Sequence, residues 1–168
     1  MPQIIEAEPV FYISLSTLQL ETATKFFRAI EFQQNMKWLF PKSTAFRLPG
    51  LSHNIALLLI EEDQFSQFVR PGTKVINSNE TTEVIFTITK ETKEEVDELV
   101  KTAAAAGGKA DPYTVETSGA QYGIYCRSFA DIDGHLWESI ANIDGHSMWE
   151  STSLQGENAE NKGKLKDN

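Results

Sequence analysis

Within Phe129–Glu138, FADIDGHLWE, four residues carry side chains that could do chemistry: Asp131, Asp133, His135 and Glu138. Carboxylates and an imidazole this close together are the raw material of a metal site or of an acid–base pair. A calcium loop would need oxygen ligands at more positions and a glutamate farther along than Glu138. The Asp133–Gly134 dipeptide accounts for the aspartates more simply, as a hairpin turn in which glycine supplies a positive φ. After the turn, period-two alternation separates His135, Trp137 and Ser139 from Leu136, Glu138 and Ile140. Glu138 therefore shares a strand face with two aliphatics, a costly place for a carboxylate unless it meets a cleft, a cation or a partner. His135 is expected to flank the turn and face outward with Trp137.

Glu83 poses the same question. It opens EVIFTIT, Glu83–Thr89, where Val84, Phe86 and Ile88 form one face and Glu83, Ile85 and Thr87 the other. Two carboxylates on cleft-facing strands suit a divalent metal ion or acid–base work, and shared proximity would raise one pKa. The competing reading leaves Glu83 in water and pairs Glu138 with Arg127. Tyr12, Tyr122 and Tyr125 are candidate hydrogen-bond donors to a substrate, with Ser14 and Arg127 as further contacts. Trp38, Phe40, Phe46 and Phe65 are candidates to line an aromatic pocket, with core as the alternative for each. Cys126, between Tyr125 and Arg127, reads as a small buried strand residue rather than a nucleophile. The motif also has an echo: ADIDGHLWES (130–139) is followed by ANIDGHSMWES (141–151), whose role is open and which brings His146, Trp149 and Glu150.

The elements that must position these residues fall into two similar halves. Val10–Leu15 alternates as a strand, and a helix follows, with Ser16 and Gln19 spaced as a capping box and Leu20, Ala23, Phe27 and Ile30 as its apolar face. Short strands interrupted by turns lead to Ile55–Ile60, a buried strand by length and composition. Glu61–Phe68 is expected to form a short helix closed by Pro71–Gly72, and Gly72–Thr82 a polar loop joining the halves. The order then restarts: a strand at Glu83–Thr89, and a helix capped by Thr92 with Glu95. That helix carries Val96, Leu99, Val100, Ala103 and Ala104 and stops at Gly107–Gly108. Strands follow at Tyr113–Glu116, Gly123–Phe129 and His135–Ala141. Residues 1–9 read as an extension, 10–150 as one domain with modules at about 10–70 and 83–142, and 151–168 as a disordered polar tail.

The bulk properties bound the function. The chain has 168 residues and a formal charge of 15 − 24 = −9. An acidic surface repels phosphate backbones and anionic headgroups, so neither nucleic acid nor a membrane is an expected partner. One cysteine allows no intrachain disulfide, and no signal peptide or apolar span is visible, which together predict a cytoplasmic location.

The double strand–helix–strands order and the FADIDGHLWE hairpin resemble the vicinal oxygen chelate superfamily of glyoxalase I, bleomycin- and fosfomycin-resistance proteins and extradiol dioxygenases. FYISLSTLQLETATKFF, ALLLIEEDQFSQF, TEVIFTIT, EEVDELVKTAAAAGG and YCRSFADIDGHLWE resemble a subgroup of predicted lactoylglutathione lyases. The resemblance spans about Val10 to Asn142. It implies an α+β fold of two βαβββ modules whose curled mixed sheets enclose a cleft. It implies a small oxygenated or thiol-conjugated substrate, metal-assisted lyase or isomerase chemistry, and a homodimer. The alternative is a small-molecule-binding protein of the drug-sequestering kind. In metal-dependent members, the first and last strands of each module carry the ligands. Glu138 matches the last-strand ligand of the second module, and Glu83 falls at its first-strand position. In the first module the matching positions hold Tyr12 or Val10, and Leu57 or Leu58, which are not ordinary ligands; His53 lies just before that strand. The four-ligand set is therefore half present, and glyoxalase I activity itself is not expected.

Overall fold

The computed structural model describes residues 9, 11–50, 54–113 and 123–144. In the first module, β1 (Phe11–Thr17) leads into α1 (Leu20–Ala29). The short β2 (Gln33–Gln34), then β3 (Ser43–Arg47), β4 (Ile55–Glu61) and a single-turn α2 (Glu62–Phe65) follow. In the second module, β5 (Ile85–Lys90) leads into α3 (Lys93–Ala105). It is followed by β6 (Lys109–Ala110), β7 (Ile124–Ala130) and β8 (Leu136–Asn142). Each module makes one four-stranded sheet, ordered β1-β4-β3-β2 and β5-β8-β7-β6. First and last strands pair in parallel while the others run antiparallel, so both sheets are mixed, as the α+β reading expected.

One core joins the sheets. Leu20–Ala29 buries Ala23, Phe26 and Phe27, whose spacing puts them on one helical stripe. Phe27 meets Phe46 of β3 at 5.9 Å and Trp137 of β8 at 5.6 Å between ring centroids, and Phe26 meets Phe129 of β7 at 6.4 Å. Helix α1 thus packs its aromatics on both sheets at once. On β8, Trp137, Ser139 and Ala141 are buried, while Leu136, Glu138 and Ile140 lie half-buried on the opposite face, as alternation requires. The two small residues leave room for α3, which buries Val96, Leu99, Val100 and Ala103.

Several boundaries differ from the sequence reading. The Ser16–Gln19 capping box does not form: β1 runs on to Thr17 because Ser16 and Thr17 pair with Ile60 and Glu61, so Ser16 stays in the sheet. Gln19 is the cap residue without a side-chain cap bond, and its own N–H donates to Thr17 Oγ1 at 3.2 Å. Thr92 does cap α3, accepting from Glu95 N at 3.2 Å, while the Glu95 carboxylate accepts from Glu91 N rather than from Thr92. The described strand after α3 is Lys109–Ala110, fixed by pairing with Ala130 and Phe129; of the expected strand Tyr113–Glu116, residues 114–116 lie outside the described residues. Tyr113 itself lies in a bend. Residues 1–8 of the expected extension and the tail 151–168 lie outside the described residues.

Phe27 is 1% exposed and sits against Phe26, Phe32, Phe46 and Trp137. Phe27→Ala is expected to destabilise the protein by about 3–5 kcal/mol, read as a lower urea midpoint. A loss under about 1 kcal/mol would mean that α1 does not tie the two sheets together.

Candidate functional site

The FADIDGHLWE segment is built around one buried carboxylate. Asp131, its side chain only 1% exposed, accepts at Oδ1 from the backbone N–H of Asp133 and of His135, each at 3.0 Å. Its Oδ2 faces His135 Nδ1 at 2.9 Å and accepts from the Trp137 indole N–H at 3.1 Å. The connection between β7 and β8 is therefore a five-residue loop, 131–135, closed by Gly134 N donating to Asp131 O at 3.2 Å and Asp131 N to His135 O at 3.1 Å. Gly134 has φ +90°, and a Cβ there would meet Asn79 Oδ1 at 2.5 Å, so the position excludes a side chain twice over.

This corrects the outward placement of His135 and Trp137. Trp137 is 2% exposed and lies among Phe27, Phe32, Phe86 and Phe129. The His135 side chain is 11% exposed against Asp131. Burial of the ring opposes its protonation, but the Asp131 carboxylate, helped by Asp133, outweighs it and raises the pKa. Asp133 fastens the turn to the rest of the molecule. Its Oδ1 accepts from Leu18 N at 3.0 Å, and its carbonyl accepts from Asn79 Nδ2 at 3.1 Å. The end of β1, the inter-module linker and the β7–β8 turn therefore meet at one point.

Beside that junction lies a cavity of about 530 Å³. Strand β1 contributes Ser14, Leu15 and Ser16, and the end of the first module contributes Phe65 and Phe68. The linker supplies Val69, Arg70, Lys74 and Val75, and the second module supplies Glu83, His135 and Leu136. Hydroxyls, two cations and one carboxylate are set among apolar side chains, the composition of a small-molecule site.

The sequence candidates separate. Ser14 and Glu83 line this cavity. Tyr12 is exposed on β1 two residues before Ser14, on the same strand face. Glu138 stands elsewhere. It accepts from the Tyr113 hydroxyl at 2.8 Å, so its partner is Tyr113 and not Arg127. Tyr125 and Arg127 lie on the opposite face of that sheet. The Tyr125 hydroxyl and Arg127 Nη1 donate to Asp97 of α3 at 2.8 and 3.0 Å, and Arg127 Nη2 donates to Asp111 at 2.6 Å. Cys126 shares the Glu138 face, and burial and the Glu138 charge push its pKa up, so the thiol stays protonated. Among the aromatics, Phe65 lines the cavity and Phe46 is core at 1% exposure. Trp38 packs at a tilt against Phe40, ring centroids 5.0 Å apart, beside a separate hollow. Tyr122, His53 and the His146, Trp149 and Glu150 of the second copy lie outside the described residues.

A shared metal ion would need Glu83 and Glu138 to reach one point. Thr87 is the register partner of Glu138, so Glu83 and Glu138 are four positions apart, about 13 Å along the strands. Side chains standing off a sheet face do not meet one ion with bonds of about 2 Å across that gap. Among the described residues, no group of three or more His, Cys, Asp or Glu is placed to hold a metal ion. The described residues do not fit the divalent metal that the resemblance implies.

Sequence reasoning missed Asp131 as a shared acceptor, Tyr113 as the partner of Glu138, and Arg70 and Lys74 as cavity residues. The Asp131–His135–Trp137 spacing was a usable signal. The other two depend on contacts distant in sequence.

No family model matches the chain, and no characterised protein matches it in sequence. Solved structures do. The chain is similar to hypothetical protein SA1046 from S. aureus, with 25% identity over 84% of this chain and 95% of that one and a TM-score of 0.63. It is similar to a glyoxalase/bleomycin resistance protein/dioxygenase family enzyme from Burkholderia phytofirmans PsJN, with 18% identity, 80% and 98% coverage and a TM-score of 0.58. It is also similar to a lactoylglutathione lyase from Agrobacterium tumefaciens, with 17% identity, 84% and 98% coverage and a TM-score of 0.56.

The raised His135 pKa has a consequence for stability. The charged His135–Asp131 pair stabilises the fold fully below the free-histidine pKa of about 6.5 and loses that share as pH rises through the raised value. The Tm difference between wild type and His135→Gln is therefore expected to be larger at pH 5.5 than at pH 8.5. A difference independent of pH would contradict the pairing. With its paired mixed sheets and their helices, the chain has the fold of the glyoxalase/bleomycin resistance/dioxygenase proteins.

Proposed function

We propose that this protein binds a small organic molecule in the cavity between β1, the linker and the β7–β8 turn. The observation that carries the reading is that the first module, the linker and the second module all line one cavity of about 530 Å³, within the range of about 300–1,000 Å³ usual for ligand sites. Ser14 and Ser16 would hydrogen-bond the ligand, and Phe65, Val69 and Leu136 would cover its apolar part. Glu83 would face its polar end. An acidic chain with one cysteine suits work in a reducing compartment such as the cytoplasm.

A second reading is favoured by one feature: Glu83 and His135 line the same cavity, and Asp131 holds His135 by Nδ1. A carboxylate and an oriented imidazole are the parts of metal-free acid–base catalysis. Proton transfer on a bound oxygenated substrate is the chemistry that pair supports. In either reading Glu138, held by Tyr113, would act separately from Glu83.

Fluorescence titration with N-phenyl-1-naphthylamine, a neutral probe, tests the binding site. Saturable binding at one site per chain is expected, with Ser14→Phe raising the dissociation constant by about tenfold or more. Binding that Ser14→Phe leaves unchanged would place the probe elsewhere and overturn the assignment. Metal analysis after purification without chelator is expected to find no stoichiometric divalent ion. One ion per chain, lost in Glu138→Gln, would replace both readings with a metalloenzyme.

A further inference from the structure

The linker segment Arg70–Pro71–Gly72–Thr73–Lys74 has the form of a clamp. Thr73 N donates to Arg70 O at 3.1 Å, and the Thr73 hydroxyl donates to the same oxygen at 2.6 Å. Proline at the second turn position presets its φ, and Gly72 at the third has φ +80°, the residue order and conformation of a type II turn. Such a turn brings the Cα atoms of its first and fourth residues within about 7 Å. Arg70 and Thr73 are those two residues; Lys74 directly follows Thr73, and Arg70 and Lys74 both line the cavity.

Lys25, Lys42, Lys90, Lys101 and Arg127 each bridge to a carboxylate, whereas Arg70 and Lys74, like Arg28, Lys37, Lys93 and Lys109, form no ion pair with a described residue. The chain carries a net charge of −9, so its general field repels anions. Against that background, two cations without an ion pair to a described residue, both lining a cavity whose wall holds one carboxylate, Glu83, make a local exception. The wall between them and Leu136 is apolar at Phe65, Val69 and Val75.

We propose that Arg70 and Lys74 form an anion-binding clamp at this cavity, and that the ligand is an amphiphilic anion: an apolar body carrying a carboxylate, sulfonate or phosphonate. Arg70 offers the planar donor fork suited to such oxyanions and Lys74 a mobile point charge. The apolar body lies along Phe65, Val69 and Leu136. The inference rests on the binding reading above and specifies the ligand for the same site.

A matched pair of probes separates the two claims. 8-Anilinonaphthalene-1-sulfonate carries the rings of N-phenyl-1-naphthylamine plus one sulfonate. Wild type is expected to bind the sulfonate more tightly than the neutral probe, with the preference falling as salt is raised. In Arg70→Gln/Lys74→Gln the sulfonate is expected to weaken about ten- to hundredfold while the neutral probe is unchanged. Gly72→Val keeps both charges and meets no atom within 4 Å of its Cβ but strains the turn, and it is expected to weaken the sulfonate alone. If the double variant leaves sulfonate affinity intact, or weakens both probes equally, the clamp is overturned while the cavity reading stands. If neither probe binds wild type saturably, the cavity reading fails and the clamp fails with it. Both variants alter exposed linker positions, and an unchanged Tm confirms that each is folded.

Discussion

The Asp131 carboxylate is buried, and two backbone N–H groups, an imidazole and an indole converge on it. A charge this far from water is tolerable only when its lone pairs are met, and here the partners are the groups that shape the molecule. The two backbone bonds close the β7–β8 loop. The indole bond holds Trp137, around which Phe27, Phe32, Phe86 and Phe129 pack. The imidazole bond holds His135 at the cavity wall. With Asp131 organising the loop from inside, Asp133 is free to bond outward to Leu18 and Asn79. One acid thus serves core packing and the other joins the modules.

The site follows from that junction. The two sheets are separate, ordered β1-β4-β3-β2 and β5-β8-β7-β6. Contact of the linker with the Asp133 turn is what brings its 69–75 segment over β1 and the start of β8. Ligand-binding residues borne on a loop and positioned by a rigid frame are a common division of labour. The carboxylates that suggested a metal pair fall on two different places in this frame. Glu83 precedes β5 and meets the cavity, whereas Glu138 lies four register positions farther on with Tyr113.

Much of the fold was legible because its signals are local. Alternation marked β5 and β8, the stripe of Val96, Leu99, Val100 and Ala103 marked α3, and Thr92 marked its start. The repeated order of elements carried the paired-module resemblance. What failed was governed by pairing at a distance. Ser16 looks like a cap but is claimed by Ile60 in the sheet. Arg127 looks like a partner for Glu138, but strand alternation turns it to the other face, toward Asp97 and Asp111. Trp137 was expected outward with His135 on the spacing after the turn, yet His135 is satisfied by Asp131 and Ser139 is small enough to sit under α3. Arg70 and Lys74 read only as loop residues flanking a Pro-Gly turn, since nothing local reveals the cavity they face.

A crystal structure of the protein grown with 8-anilinonaphthalene-1-sulfonate tests the account most directly. It should show the rings between Ser14, Val69 and Leu136, with the sulfonate against Arg70 and Lys74 and the Asp133 bonds to Leu18 and Asn79 in place. A probe bound away from this cavity, or a linker detached from the β7–β8 turn, would contradict it.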